Sequence, residues 1–407
     1  MFMMRLKLAI RNITRHRLRS LLSISMIAGA VTAMILFQGF SAYSLAALKF
    51  IAAENQYGNM QIAAQKYWSP GKEPRAERLF LLNDLNDLKS KFPQVEHLSG
   101  RLSFFGLVSN GDLSVGGKII GVDPVGEPQF KKSMLLPQGR FFDESGGKEV
   151  VVGKLLAKQM NVNPGDNITV LTNTIDGVMN AMDLTVAGIF SAGIDEIDAQ
   201  VMYLPLSVTQ EILDTQSVDI AVLKFKELDM AEATLDKINS ELKANQPNLF
   251  ARSWRDLAVL FRQVDKFYGV QNSLIEAILL ALMFLGILNT VSMTVVERTG
   301  EIGTLRALGE SRREIVSQFV LESILLSVIG IASGILFSAF MIQVVEKVKI
   351  MTEMPGASTP FQIKIYFMMS SVIYASCLAS VTTVVATLIP ALRASRLDIV
   401  EALRKNI

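Results

Sequence analysis

Glu297, Arg298, Glu301 and Arg306 directly follow twenty residues without a charge. They stand among Ile302, Leu305 and Leu308, and Gly300, Gly303 and Gly309 punctuate the run. Their chemistry is that of recognition: carboxylates and guanidiniums form charge-assisted hydrogen bonds. At helical spacing the three aliphatic side chains share one arc, with Glu301 and Arg306 facing elsewhere. Gly303 lets another surface approach the backbone, and Gly309 suits a left-handed helix stop. Ser311-Arg312-Arg313-Glu314 then fits a capping box that restarts a helix. A plain polar loop needs none of this order, so the segment reads as a docking element that carries force between a cytoplasmic partner and the membrane.

Catalytic constellations are missing from the sequence. Lys118 and Lys148 each follow a glycine, but neither site fits G-x-x-x-x-G-K-[ST]. Asp112 and Phe142 stand where the first glycine is required, and Ile119 and Glu149 replace the hydroxyl that would bind Mg²⁺. His16 and His97 are the two histidines, and the topology below puts them on opposite sides of a membrane, so they cannot share a metal. Asp143/Glu144 and Asp195/Glu196 read as solvated loop charge, and nothing resembles a Ser/His/Asp set. No cofactor or metal is expected on this chain. Glu276 and Glu322 border apolar runs; an acid there can mark a transport path, but both can reach an interface.

These residues are positioned by membrane spans. Half of the 407 residues are hydrophobic, too many for an ordinary soluble protein. No Asp, Glu, Lys, Arg or His occurs in 21–48, 277–296, 323–345 or 365–392. About 20 apolar helical residues cross a bilayer core, so four spans are expected near 21–43, 273–296, 317–343 and 366–390. Arg5, Lys7, Arg11, Arg15, Arg17 and Arg19 precede the first, Arg298, Arg306, Arg312 and Arg313 follow the second, and Arg393, Arg396, Arg404 and Lys405 follow the fourth. The positive-inside rule makes these three segments cytoplasmic, and with them both termini. Residues 44–271 then lie outside, with 28 acids against 23 Lys plus Arg, a net of −5. The overall +2 hides this split and points to no nucleic acid. Cys377, the one cysteine, falls in the fourth span, so the outer region folds without disulfides.

Residues 1–20 read as an amphipathic cytoplasmic helix, with Leu6, Ile10, Ile13 and Leu18 apolar between arginines, lying against membrane lipids. Beyond the first span the pattern changes. Strands are expected at 59–64, 95–109, 113–123, 220–225 and 249–254, and helices at 81–92 and 230–247. The fold class is thus a membrane protein, α+β, with four transmembrane helices and a large periplasmic α/β domain between the first and second. That domain divides into an α/β subdomain (44–109 plus 218–255) and an inserted, mostly-β subdomain (110–217). A cytoplasmic coupling helix (297–316), a short periplasmic loop (344–365) and a cytoplasmic tail (391–407) complete the layout.

ERTGEIGTLRALGESRREIVSQFVLES (297–323) resembles the motif of ABC-transporter permeases of the FtsX, MacB and lipoprotein-releasing LolC/LolE group. LAIRNITRHRLRSLLS (8–23), GRFFDESGGKEVVVGKLLAKQMNVNPGDNITV (139–170) and PALRASRLDIVEALR (390–404) resemble its N-terminal entry, periplasmic domain and C-terminal signature. The resemblance covers nearly the whole chain in order.

It implies a mechanism. An ATPase dimer, supplying ATP and Mg²⁺ chemistry outside this chain, binds the loop between spans two and three. Its closure is transmitted to the periplasmic domains, which extract or expel an amphiphilic cargo such as a lipoprotein or hydrophobic compound. Carried over, Glu297, Arg298, Glu301, Gly303, Arg306 and Gly309 lie in the coupling segment. Arg393, Arg396, Asp398 and Glu401 lie in the C-terminal signature, where Asp398 and Glu401 also fit a capping box. MacB members carry the ATPase on the same chain and this sequence shows none, which points to a separate subunit. The implied partners are that ATPase dimer, a second permease, identical or paralogous, and a periplasmic carrier or lipoprotein. The implied location is a bacterial inner membrane. The alternative within the group is a signalling permease that activates a periplasmic partner such as a cell-wall hydrolase.

Overall fold

Four helices of the computed structural model are long and apolar enough to cross a membrane. They are α1 (Arg17–Phe50), α2 (Val259–Glu297), α4 (Arg312–Val348) and α5 (Met369–Ser395); the short α3 (Thr299–Ala307) falls between the second and third. The structure describes residues 11–12, 15, 17–68, 75–123, 125–127, 134–143, 147–352 and 361–396. α1, α2 and α4 extend past their expected spans at both ends, because helical hydrogen bonding continues into flanking polar turns that sequence hydropathy excludes, whereas α5 starts three residues later than expected, at Met369, and runs on to Ser395. Most of the expected N-terminal amphipathic helix lies outside the described residues, as do Asp398 and Glu401.

Small residues let the spans approach each other. A Cβ on Gly334 would meet the Ala28 carbonyl oxygen at 2.8 Å, and one on Gly330 would meet Ile27 at 2.8 Å. Thr32 Oγ1 donates to the Gly334 carbonyl at 3.0 Å. Ala375, Ala379 and Ala386 of α5 join Ile27, Val31 and Ile35 of α1 in one buried cluster with Met283 and Ile287 of α2. With lipid as solvent, close packing of small side chains and interhelical hydrogen bonds drive such association. Leu282, Leu285, Leu336 and Val381 remain exposed, as lipid-facing positions require.

Ala46–Gln263 form a second compact unit, the sheet domain. Its strands are β1 (Met60–Ala64), β2 (Val95–Ser109), β3 (Ser114–Val122), β4 (Leu135–Gly139), β5 (Glu149–Gly153), β6 (Asn167–Asn173), β7 (Met179–Ser191), β8 (Val201–Pro205), β9 (Ile220–Phe225) and β10 (Leu249–Ser253). They form one ten-stranded sheet in the order β10-β1-β9-β2-β3-β8-β5-β7-β4, with β6 bridging β2 and β7. The pairings β2–β3–β8–β5–β7–β6 return to β2 and close a ring of six strands. β3/β8 and β5/β7 are parallel, and the other pairs are antiparallel.

The sheet does not divide at residue 110 as the sequence suggested. β2 pairs with β3 over nine residues across that border, so both halves share one ladder. Two of the domain's hydrophobic clusters meet elsewhere than at that border. One gathers Met60, Ile62, Leu223, Phe225 and Ile238; the other gathers Leu102, Phe104, Val150, Ile168, Leu184 and Leu204. The changeover falls inside β2, between Val95 and Leu102. A 15-residue strand is long enough to serve both cores.

Candidate coupling site

The junction of α2, α3 and α4 is held by charge. Arg298, the residue before α3, is 9% exposed, and so is Glu322 of α4. Arg298 Nη1 donates to both Glu322 carboxylate oxygens at 3.2 Å, and Nε donates to Glu301 Oε2 at 3.0 Å. The guanidinium stacks on Phe319 at 5.7 Å. A buried charge is tolerated only when paired and hydrogen-bonded, and here each partner supplies that for the other. Glu297 pairs with Arg19 of α1, and Glu301 with Arg15 at 3.4 Å.

Packing fixes the orientation of α3. Ile302 is buried with Val295, Ile315, Phe319, Ala391 and Ala394, and Leu305 is half-buried against them. Arg306 Nη1 donates to the Ser395 carbonyl at 2.5 Å, tying α3 to the end of α5. Gly309 has φ +99°, a backbone that stops the helix. Ser311 and Glu314 make the reciprocal capping box: Glu314 N donates to Ser311 Oγ at 3.4 Å and Ser311 N to Glu314 Oε2 at 2.8 Å.

The structure splits the expected aliphatic arc. Ile302 and Leu305 turn into the bundle, while Leu308 is 79% exposed. Gly303 is buried, so the surface against its backbone belongs to this chain, and a bulky side chain there would be a packing lesion. Glu301, Thr304 and Ala307 of α3, and Leu308 just past its end, are exposed. Of the C-terminal signature, Arg393 and Arg396 are exposed. Arg396 shares a groove with Arg312, Arg313 and Val316 of α4, which makes that groove strongly basic.

Sequence reasoning missed the partners of these residues: Arg19, Phe319, Glu322 as an ion-pair member, and the Ser395 carbonyl. Glu322 did carry a signal, being an acid at the edge of an apolar run with a cation, Arg298, at the end of the preceding one. At the far end of the spans, Glu276 accepts from Gln38 Nε2 at 2.6 Å and Tyr374 OH at 3.1 Å, which ties three helices together. Among the described residues no group of His, Cys, Asp and Glu could hold a metal.

Four spans, a short helix between the second and third, and a sheet domain after the first define a multi-pass membrane protein with an inserted α+β domain. Residues 20–241 match the model of the MacB-like periplasmic core domain, and residues 273–399 that of the FtsX-like permease C-terminal region. The chain belongs to the family of permeases that carry the MacB-like periplasmic core domain together with the FtsX-like C-terminal region. It is similar to the lipoprotein-releasing system transmembrane protein LolC of Xylella fastidiosa, 26% identical over 275 residues, which are 64% of this chain and 65% of that one. It is also similar to the macrolide export ATP-binding/permease protein MacB 2 of Aeromonas hydrophila, 27% identical over 98% of this chain and 60% of the relative. The chain thus spans less than two thirds of either relative's length. The crystal structure of the periplasmic region of MacB from Actinobacillus actinomycetemcomitans is 18% identical, covers 49% of this chain and 90% of its own, and has a TM-score of 0.35.

Proposed function

We propose that the chain is the permease component of an ABC transporter in a bacterial inner membrane, with both termini cytoplasmic. In this reading α3 docks an ATPase dimer, and ATP-driven motion passes through the spans to the sheet domain. That domain then extracts or expels an amphiphilic cargo such as a lipoprotein or hydrophobic compound. A second permease, identical or paralogous, completes the membrane part, and ATP with Mg²⁺ is used by the ATPase.

One observation carries the reading: α3 is clamped to α4 by Arg298–Glu322 and to α5 by Arg306–Ser395, yet leaves Leu308 bare. A clamped helix with an exposed apolar tip can receive a push and pass it on without rearranging. α2 runs unbroken from Val259 to Glu297, a rigid rod along which displacement at one end reaches the other. The names of the relatives, lipoprotein release and macrolide export, are both compatible with amphiphilic cargo.

The test is to extract the chain from native membranes in mild detergent and identify what stays bound. An ATP-binding subunit that is lost with Leu308→Asp, in a chain that still folds, supports the reading. Recovery with a cell-wall hydrolase and no cargo would move it to the signalling alternative. No ATP-binding subunit at all would overturn both.

A further inference from the structure

The sheet domain has a second face, where two smaller clusters, one around Phe190, Val201 and Tyr203 and one around Ala63, Ile220 and Val222, border a cleft. Along β2, Leu102 and Phe104 enter a core, while Arg101 and Ser103 point the other way. Lys118 and Ile120 of β3 and Tyr203 of β8 lie on that same side. A solvated sheet face would carry such residues fully exposed. Here Tyr67, Trp68, Ile197, Leu257 and Leu260 wall them into a cleft of about 450 Å³.

Asp219 lines this cleft and is only 6% exposed. Its Oδ2 accepts from Ser103 N at 3.0 Å and Ser103 Oγ at 2.9 Å. Its Oδ1 is buried and makes no hydrogen bond among the described residues; nor does Trp68 Nε1, in the same wall. The cations nearby do not complete it. Arg101 is engaged bidentately by buried Glu127 and donates to the Gln56 carbonyl. Arg75 donates to the Ser103 carbonyl at 2.5 Å. Lys118 makes no ion pair among the described residues. A buried carboxylate oxygen without a donor is costly, and Asp219 also lines the cleft, so the atom calls for a donor brought in from that side. Burial pushes the Asp219 carboxyl up to about 6, against the lowering effect of Ser103, Arg75 and Lys118.

We propose that this cleft binds a small amphiphile bearing a primary ammonium group, which donates to Asp219 Oδ1 while its apolar body lies on Ile197, Leu257 and Leu260. An acceptor on the same molecule satisfies Trp68 Nε1. The carboxylate excludes an anion, and Tyr57 and Tyr67 also line the cleft. Lys118 is the internal competitor for Asp219. The charged and titratable groups around the carboxyl are Tyr67, Arg75, Arg101, Lys118, Glu196 and Tyr203. The ammonium has two sources: a soluble amphiphilic amine, or the ethanolamine head of a phospholipid. The site lies within the sheet domain, and its test involves no ATPase, so it stands or fails separately from the export reading.

The chain holds two tryptophans, so Trp254→Phe leaves Trp68 as the sole indole reporter. The full chain in detergent is titrated with 4-phenylbutylamine, 4-phenylbutanoate, dihexanoyl-phosphatidylethanolamine and dihexanoyl-phosphatidylcholine while Trp68 emission is followed. The expected result is saturation by the amine, none by the carboxylate, at least tenfold weaker binding in Asp219→Asn, and tighter binding in Lys118→Met. That gain could not come from an unfolded chain. Saturation by the ethanolamine lipid below the concentration the amine needs, with none by the choline lipid, assigns the source to lipid; saturation by the amine alone assigns it to a soluble ligand. Equal responses to amine and carboxylate, or an affinity indifferent to both substitutions, overturn the proposal.

Discussion

Arg298 and Glu322 are 24 residues apart, yet the Arg298 guanidinium reaches both oxygens of the Glu322 carboxylate at 3.2 Å, each side chain almost fully buried. The pair fastens the start of α3 to the first turns of α4. Removing Glu322 leaves the buried Arg298 guanidinium with Glu301, which is half exposed, as its remaining carboxylate partner. Glu322→Ala is expected to cost about 3–5 kcal/mol, read as a lowered thermal transition in detergent. Arg298→Met with Glu322→Leu is expected to lose less than the single change, since no charge remains unpaired. A double variant at least as unstable as Glu322→Ala would show that the pair is not what holds the junction.

Under the proposed function, Leu308 is the residue at which docking and folding can be told apart. It is 79% exposed and is not among the residues packed with Ile302, so Leu308→Asp should change stability by within about 0.5 kcal/mol. Under the proposed function it should still abolish copurification of an ATP-binding subunit. Equal loss of stability and partner would mean that the residue supports the fold instead.

Gly334 tests span packing. A Cβ there would meet the Ala28 carbonyl at 2.8 Å and Val31 at 3.1 Å, both on α1. Gly334→Val is expected to cost about 1–3 kcal/mol by overpacking, whereas Gly269→Ala, with nothing near its Cβ position, should be tolerated. A Gly334→Val chain that melts with the parent would refute the close α1–α4 approach.

Asp219 gives the sheet domain a pH dependence with a defined sign. Its carboxyl is raised from 3.8 to about 6, chiefly by burial, so between these values the folded state holds a proton that the unfolded chain releases. The stability this contributes is fully present below 3.8 and is lost as pH rises through 6. Asp219→Asn removes the dependence. Relative to the parent, the variant should gain on the order of 3 kcal/mol between about pH 4 and pH 7. Thermal unfolding at a series of pH values checks this; a difference that stays constant with pH, or runs the other way, contradicts it.

The spans were legible because their signal is local: no charge interrupts 277–296 or 365–392, and length alone then implies crossing. The α3 stop and the capping box were legible for the same reason, since Gly309 and Ser311–Glu314 act within a few residues of themselves. What α3 faces was not. Ile302, Leu305 and Leu308 are equivalent on a helical wheel, and only α4 and α5 packing decides that the first two are buried and the last is not. The single sheet was also hidden. Strand positions came from alternation, but the β3/β8 and β2/β6 pairings join residues tens of positions apart, and no local pattern encodes them. Asp219 carried no sequence signal, because its burial depends on Tyr67, Ser103 and Tyr203 arriving from three other places in the chain.

The most direct test of the coupling claim is a photo-crosslinking residue in place of Leu308, activated in native membranes. The account predicts one dominant adduct to an ATP-binding subunit, strengthened when ATP hydrolysis is blocked. Adducts only to lipid or to the chain itself, with the same probe at Met179 as an exposed control in the sheet domain, would contradict it.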